Sequence, residues 1–175
     1  LTAPPPLRFT QAQFDRAHRD WGANCGPGAV AAVLGLTLDQ LRPHLADFER
    51  KRYTNPTLMY QILRSLGAVW VPIVRTKPDR RPIIAWPRLG LVRIQWEGPW
   101  TAPGVPIRAR YRRTHWIGAA LRGGVGVFDV NCLNNGSGWA SLYDWSSVVV
   151  PHILECCHPT ANGAWHQTHV LELAA

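Results

Sequence analysis

Lysine is nearly absent from this chain of 175 residues: of its 19 basic residues only Lys51 and Lys77 are lysines, and all the others are arginine. No apolar run approaches the roughly 18 residues of a membrane span, and a membrane partner is not expected. No internal repeat interrupts the sequence, and no linker is long enough to separate a second domain from the first. With 46% hydrophobic and 17% charged residues, long disorder is excluded and one compact domain with its own core is expected. The four cysteines at 25, 132, 156 and 157 make no disulfide framework, because the neighbours Cys156 and Cys157 cannot easily bridge each other. A reducing compartment follows. The opening LTAPPPLRF has neither the basic start nor the apolar stretch of a signal peptide, so the expected location is the cytoplasm, or a target cell into which the protein is delivered.

Arginine and tryptophan are present in excess. Nine Trp and a formal charge of +8 suit anionic or nucleic-acid partners, since guanidinium groups pair with phosphates and stack on rings. A genomic composition bias produces the same Arg-to-Lys ratio, so a nucleic-acid partner is not favoured on this ground alone. Residues 1–8 read as an extended, poorly ordered Pro-rich arm and residues 9–175 as a single domain. From Cys25, CGPGAVAAVLG is punctuated as a short buried helix by Pro27 and Gly35. Thr37 and Gln40 have capping-box spacing, and Asn55 with Pro56 starts a helix whose Leu58, Met59, Ile62, Leu63 and Leu66 share one face. After Gly67 short β-type runs take over at 69–74, 90–96, 114–121 and 125–130, with WHQTHVLEL as a candidate last strand. Helices first and a mostly antiparallel sheet afterwards predict an α+β domain.

Cys25 stands at the start of the first of these helices, where free amides and the helix dipole favour a thiolate. Gly26 and Gly28 are expected to leave room for substrate beside the sulfur, and the Cys25 amide is a ready oxyanion donor. A small apolar helix is also an ordinary home for an inert free cysteine, so the assignment needs a base. His115 supplies one. Its strand and the next flank an RGG turn centred near residue 123, which sets position 115 opposite about 131 and brings Asp129 or Asn131 within reach as orienter. Nucleophile, base and orienter together make a thiol hydrolase.

The segments NCGPGAVAAVLG, THWIGA and VFDVN resemble the papain-like cysteine peptidase superfamily, and within it the bacterial group related to enzymes that cleave double-glycine leaders. The resemblance spans about residues 20 to 131. It implies a papain-like fold, with an N-terminal helical lobe carrying the Cys helix packed on a C-terminal antiparallel sheet. It also implies Cys25 as nucleophile, His115 as general base and Asp129 as orienting acid, with Asn131 as the alternative. No cofactor or metal is implied. The chain departs from the family at one position: a glutamine is expected about six residues before the cysteine to complete the oxyanion hole, and Arg19 is there instead. Asn24, Arg19 and the Trp21 indole are the replacement candidates.

Strict alternation along RARYRRTH puts Tyr111 and Arg113 on the His115 face, next to substrate. His152, Cys156, Cys157, His158, His166 and His169 are metal-ligand types with no C-x-x-C pair to anchor them, so no metal is expected. The expected function is a cysteine peptidase or amidase cleaving an amide, isopeptide or ester bond in a peptide or protein substrate with acidic character. The alternatives are a catalytically weak or inactive module binding nucleic acid or protein, or a papain-like toxin or effector aimed at a host protein.

Overall fold

The computed structural model describes residues 4–75 and 84–174. Most of the Pro- and Arg-rich connection after residue 75, and the first three residues of the N-terminal arm, lie outside that range. The described part of the arm is not loose: Leu7 packs against the core, Arg8 reaches the carbonyl of Gly35, and the chain runs directly into buried Phe9. Leu7 and Arg8 hold it to the domain.

Five helices come first: α1 (Gln11–Trp21), α2 (Cys25–Leu34), α3 (Leu38–Leu41, continued by a 3-10 turn Arg42–His44), α4 (Phe48–Lys51) and α5 (Pro56–Ser65). Their starts are capped as local chemistry dictates. Thr10 with Gln13 and Thr37 with Gln40 form reciprocal capping boxes, and Asn24 and Asn55 accept from the amides of Gly26 and Leu58. Helix α2 has two glycines and a proline and would be marginal alone. Burial holds it instead: Val30 and Val33 are shut away from water, each contributing about 1.5–3 kcal/mol.

The sheet is built from β1 (Trp70–Arg75), β2 (Leu89–Trp96), β3 (Thr114–Leu121), β4 (Val125–Phe128), β5 (Trp139–Ser141) and β6 (Trp165–Leu173). Their order is β1-β6-β2-β3-β4-β5, every pair antiparallel, so the last strand inserts between the first two. Gly123, with φ of 64°, provides the left-handed residue that the β3–β4 turn needs. A short helix α6 (Ile107–Arg110) precedes β3. Helix α7 (Leu142–Asp144) runs through a π-helical turn (Trp145–Val149) into α8 (Val150–Cys157).

Both faces of the sheet are covered. Leu91, Trp116, Phe128 and Leu171 face α1 to α5, while Val92, Ile94, Ile117 and Val170 face Trp145, Val150, Ile153 and Leu154. The molecule is thus α+β, with helices on both sides of the sheet. The helical layer of residues 142–157 has no counterpart in the sequence expectation of a helical lobe followed by a sheet. No helix among the described residues is long and apolar enough to cross a membrane.

Candidate active site

Three elements meet at the corner of the sheet where β3 begins. Helix α2 brings Cys25 at its first position, β3 brings His115 at its second, and Asp129 follows directly after β4 as the cap of a 3-10 turn (Val130–Asn135). The β3–β4 register pairs Gly118 with Phe128 and ends there, so β4 turns away before reaching the level of Trp116. Odd residues of β3 bond to β2, as the Trp96 amide does to the carbonyl of Arg113. The Trp116 amide therefore points to the side that β4 has vacated, and it donates to the Cys25 sulfur. By strand alternation His115 belongs to the face opposite α2. Its contact with the thiol is made around the open end of the sheet.

His115 Nε2 lies 2.8 Å from Asp129 Oδ2, which leaves Nδ1 for the hydrogen bond between His115 and Cys25. Asp129 is fully buried, and all its partners are donors. Oδ2 also accepts the Trp145 indole N–H at 2.8 Å; Oδ1 accepts the Asn131 amide at 3.0 Å and its side-chain N–H at 2.8 Å. Asn131 is thus a partner of Asp129 and does not orient His115 directly. The His115 ring stacks on Trp96, with centroids 5.9 Å apart, and Trp96 stacks in turn on Trp145. Rings close the back of the site.

Electrostatics follow from this packing. Burial pushes the Cys25 thiol up, but the His115 charge and hydrogen bond, with the Trp116 amide, outweigh it and set the thiol below its ordinary value. Burial disfavours charged imidazole as well, yet the charges of Asp129 and Cys25 and their hydrogen bonds hold His115 well above the ordinary histidine value. For Asp129, burial acts upward and His115, Asn131 and Trp145 bring the carboxyl below its usual range. Both shifts favour the ion-pair form of the couple, thiolate beside imidazolium, over the neutral form.

The sulfur opens into a cavity of about 600 Å³ lined by Asn24, Thr54, Arg93, Tyr111 and Trp116 among others. In the first turn of α2, the Gly26 amide is taken by the Asn24 side chain, Pro27 has no N–H, and the Gly28 amide bonds the Asn24 carbonyl. The Cys25 amide is left over, beside the sulfur. Gly26 and Gly28 do not open space for substrate: a Cβ on them would come within 2.3 Å of Thr54 Oγ1 and of Val130 Cγ1 respectively. Their smallness serves close packing of α2.

Among the oxyanion candidates, Asn24 lines the cavity but caps α2 and donates its amide to the Arg52 carbonyl at 3.0 Å. Arg19 is exposed on α1, and Trp21 is buried against Phe48 under Arg42, away from the cavity. Arg19 and Trp21 do not line the cavity, and Asn24 is held as a helix cap with one of its two side-chain N–H groups given to Arg52. Tyr111 does line the cavity, but Arg113 does not: it lies over Trp100 at 5.1 Å and meets His158 Nδ1 at 3.2 Å. Pro106 starts helix α6 and residues 111–113 form a turn, so strand alternation does not apply to the arginine row. Arg112 and the buried Arg93 are the arginines of the cavity.

The C-terminal His and Cys side chains scatter over separate neighbours. Cys156 is near His152, His158 faces Arg113, and His166 bonds Glu97 at 3.0 Å. Among the described residues no three His, Cys, Asp or Glu converge as a metal site. No protein-family model, curated protein or solved structure matches the chain.

Proposed function

We propose that this protein is a papain-like thiol hydrolase, a cysteine peptidase or amidase acting through Cys25, His115 and Asp129 on a peptide or protein substrate. The carrying observation is the buried chain of contacts from Asp129 through His115 to a helix-start thiol that opens into a cavity. In this reading the thiolate attacks the carbonyl carbon, forming the C–S bond while the C=O π pair moves onto oxygen. The Cys25 amide donates to that oxyanion. His115 gives its Nδ1 proton to the leaving nitrogen or oxygen as the bond breaks, which leaves a thioester. It then takes a proton from water, whose hydroxide releases the acid and regenerates the thiolate. Asp129 holds the ring and offsets its charge.

The test is labelling with limiting iodoacetamide near neutral pH, followed by peptide mapping. Cys25 is expected to take most of the label although it is only half-exposed, while Cys156 and Cys157 are exposed. Preferential labelling of Cys132, Cys156 or Cys157 would overturn the nucleophile assignment. Salt-dependent nucleic-acid binding by a Cys25→Ala protein, together with an unreactive Cys25, would favour the binding-module alternative.

A further inference from the structure

The most unusual polar group in the molecule is Arg93. It sits on β2, inside the six-stranded sheet, with 7% of its surface exposed, and no carboxylate among the described residues pairs with it. Its Nη1 and Nη2 make only long contacts, 3.2 Å each, with the hydroxyls of Thr168 and Thr114, and its Nε has no partner. Burial pulls the guanidinium down to about 10, so it is still charged at neutral pH. A buried cation without an acid is costly unless an anion completes it. The groups of the protein whose negative charge, when ionised, would favour it are the Tyr111 phenol and the Cys25 thiol.

Its position relates it to the reacting atoms. Arg93 pairs in register with Trp116, the residue whose amide touches the sulfur, and this is a non-hydrogen-bonded pair with Cα atoms ~4.5 Å apart. Arg93 and Cys25 line the same cavity, and no acidic side chain lines it with them. A second orphan lies there too: Thr54 Oγ1 is buried, unpartnered and set against Gly26, one residue from the thiol. Two residues that each carry an unsatisfied polar atom, Arg93 and Thr54, thus line the cavity that holds Cys25.

We propose that Arg93, assisted by Thr54, forms an anion subsite beside Cys25 that takes a carboxylate of the substrate close to the scissile carbonyl. This rests on the thiol-hydrolase reading and names its substrate class. A planar carboxylate matches the buried donors of the cavity wall, one guanidinium edge and one hydroxyl, while the cavity's other arginine, Arg112, is exposed. A phosphate, with more charge to meet, would need the exposed Arg112 as well as Arg93. The carboxylate has two sources, a peptide C-terminus or an Asp or Glu side chain adjacent to the cleaved bond.

Iodoacetate and iodoacetamide test the proposal, since both need the thiolate and only one carries a carboxylate. Their rate ratio at Cys25 cancels any change in thiolate population, and exposed Cys156 and Cys157 in the same molecule give the intrinsic ratio. The ratio at Cys25 should exceed that reference, and Arg93→Gln should lower it by about ten- to a hundredfold. Independently of that variant's folding, acetyl-dialanine should protect wild-type Cys25 from iodoacetamide if the C-terminal source is right, and acetyl-aspartyl amide if the side-chain source is right. The fully amidated dialanine should not protect. Fast iodoacetamide labelling with no iodoacetate preference and no protection would overturn the subsite and leave the hydrolase reading standing. Protection by inorganic phosphate alone would overturn the carboxylate assignment. An inert Cys25 would overturn both.

Discussion

Cys25 and Cys132 are the same chemical group within the field of the same carboxylate, Asp129, and both are penalised by burial. Their acidities nevertheless move apart. Cys132, in the 3-10 turn after Asp129, meets only the desolvating core and the carboxylate's charge, and its thiol is pushed up to about 12. Cys25 has in addition the His115 imidazolium and the Trp116 amide, and these reverse the sign. Burial near an acid disfavours a thiolate; one positive ring and one N–H at the sulfur favour it.

Removing the ring is the strongest way to break the contrast. In a His115→Gln variant, burial and the Asp129 charge remain on the Cys25 sulfur while its main opposing influence is gone. Cys25 should then resemble Cys132, with iodoacetamide labelling at pH 6 slower by about 10- to 1000-fold. The wild-type rate should be flat with pH between the lowered thiol and raised imidazole values, whereas the variant's should climb steadily into alkali. An unchanged profile would show that His115 does not govern the thiol.

Substituting the acid should move the two cysteines in opposite directions. Every partner of Asp129 is a donor, two on each oxygen. Asp129→Asn offers a single acceptor oxygen, so it leaves donors facing its NH₂ whichever way the amide is turned. A stability loss of about 1–3 kcal/mol is expected, while Asn131→Ala, which keeps the backbone donor, should cost about 1 kcal/mol. Without the Asp129 charge, Cys132 should ionise more easily and His115 less, so the labelling contrast should narrow from both ends. The lost stability depends on pH. Asp129 is lowered from 3.8, so its contribution is full above that value and disappears in acid; His115 is raised from 6.5, so its contribution is full below that value and fades in alkali. The melting-temperature gap between wild type and Asp129→Asn should be widest near pH 5 and narrow at both extremes.

The sequence makes one half of the site readable and hides the other. Helix α2 and the β3–β4 hairpin are local: Pro27 and Gly35 bound the first, the RGG turn sets the register of the second, and position 115 does fall opposite 131 when that register is extended. Helix α5 is equally local, with Asn55 and Pro56 at its start. The capping box of α1 is local too, at Thr10 and Gln13, but it follows directly on an arm whose prolines signal extended chain. The insertion of β6 between β1 and β2 is not local, because no residue near 165–173 signals which strands it pairs with. Trp145 is hidden for the same reason, reaching Asp129 from a π-helical turn in a segment with no clear periodicity. Arg93 leaves one clue, a lone charge in the apolar run GLVRIQW, but whether such a residue faces solvent or a cavity depends on what covers the strand.

Arg113 gives the smallest expected effect and fixes how far the contrast extends. In sequence it stands two residues from His115 and invites a role in substrate choice. In the structure its guanidinium lies over Trp100 and meets His158 outside the cavity, and it influences neither cysteine. Arg113→Ala should therefore change the iodoacetate-to-iodoacetamide ratio at Cys25 by less than about twofold, because an exposed charge contributes little across water. What it should move is His158, which burial and the Arg113 charge together hold below the ordinary value. With the arginine gone, the His158 proton titration followed by NMR should shift upward while the Cys25 labelling profile stays in place. A loss of iodoacetate preference in Arg113→Ala matching that in Arg93→Gln would move the anion subsite out of the cavity and onto the α6–β3 turn.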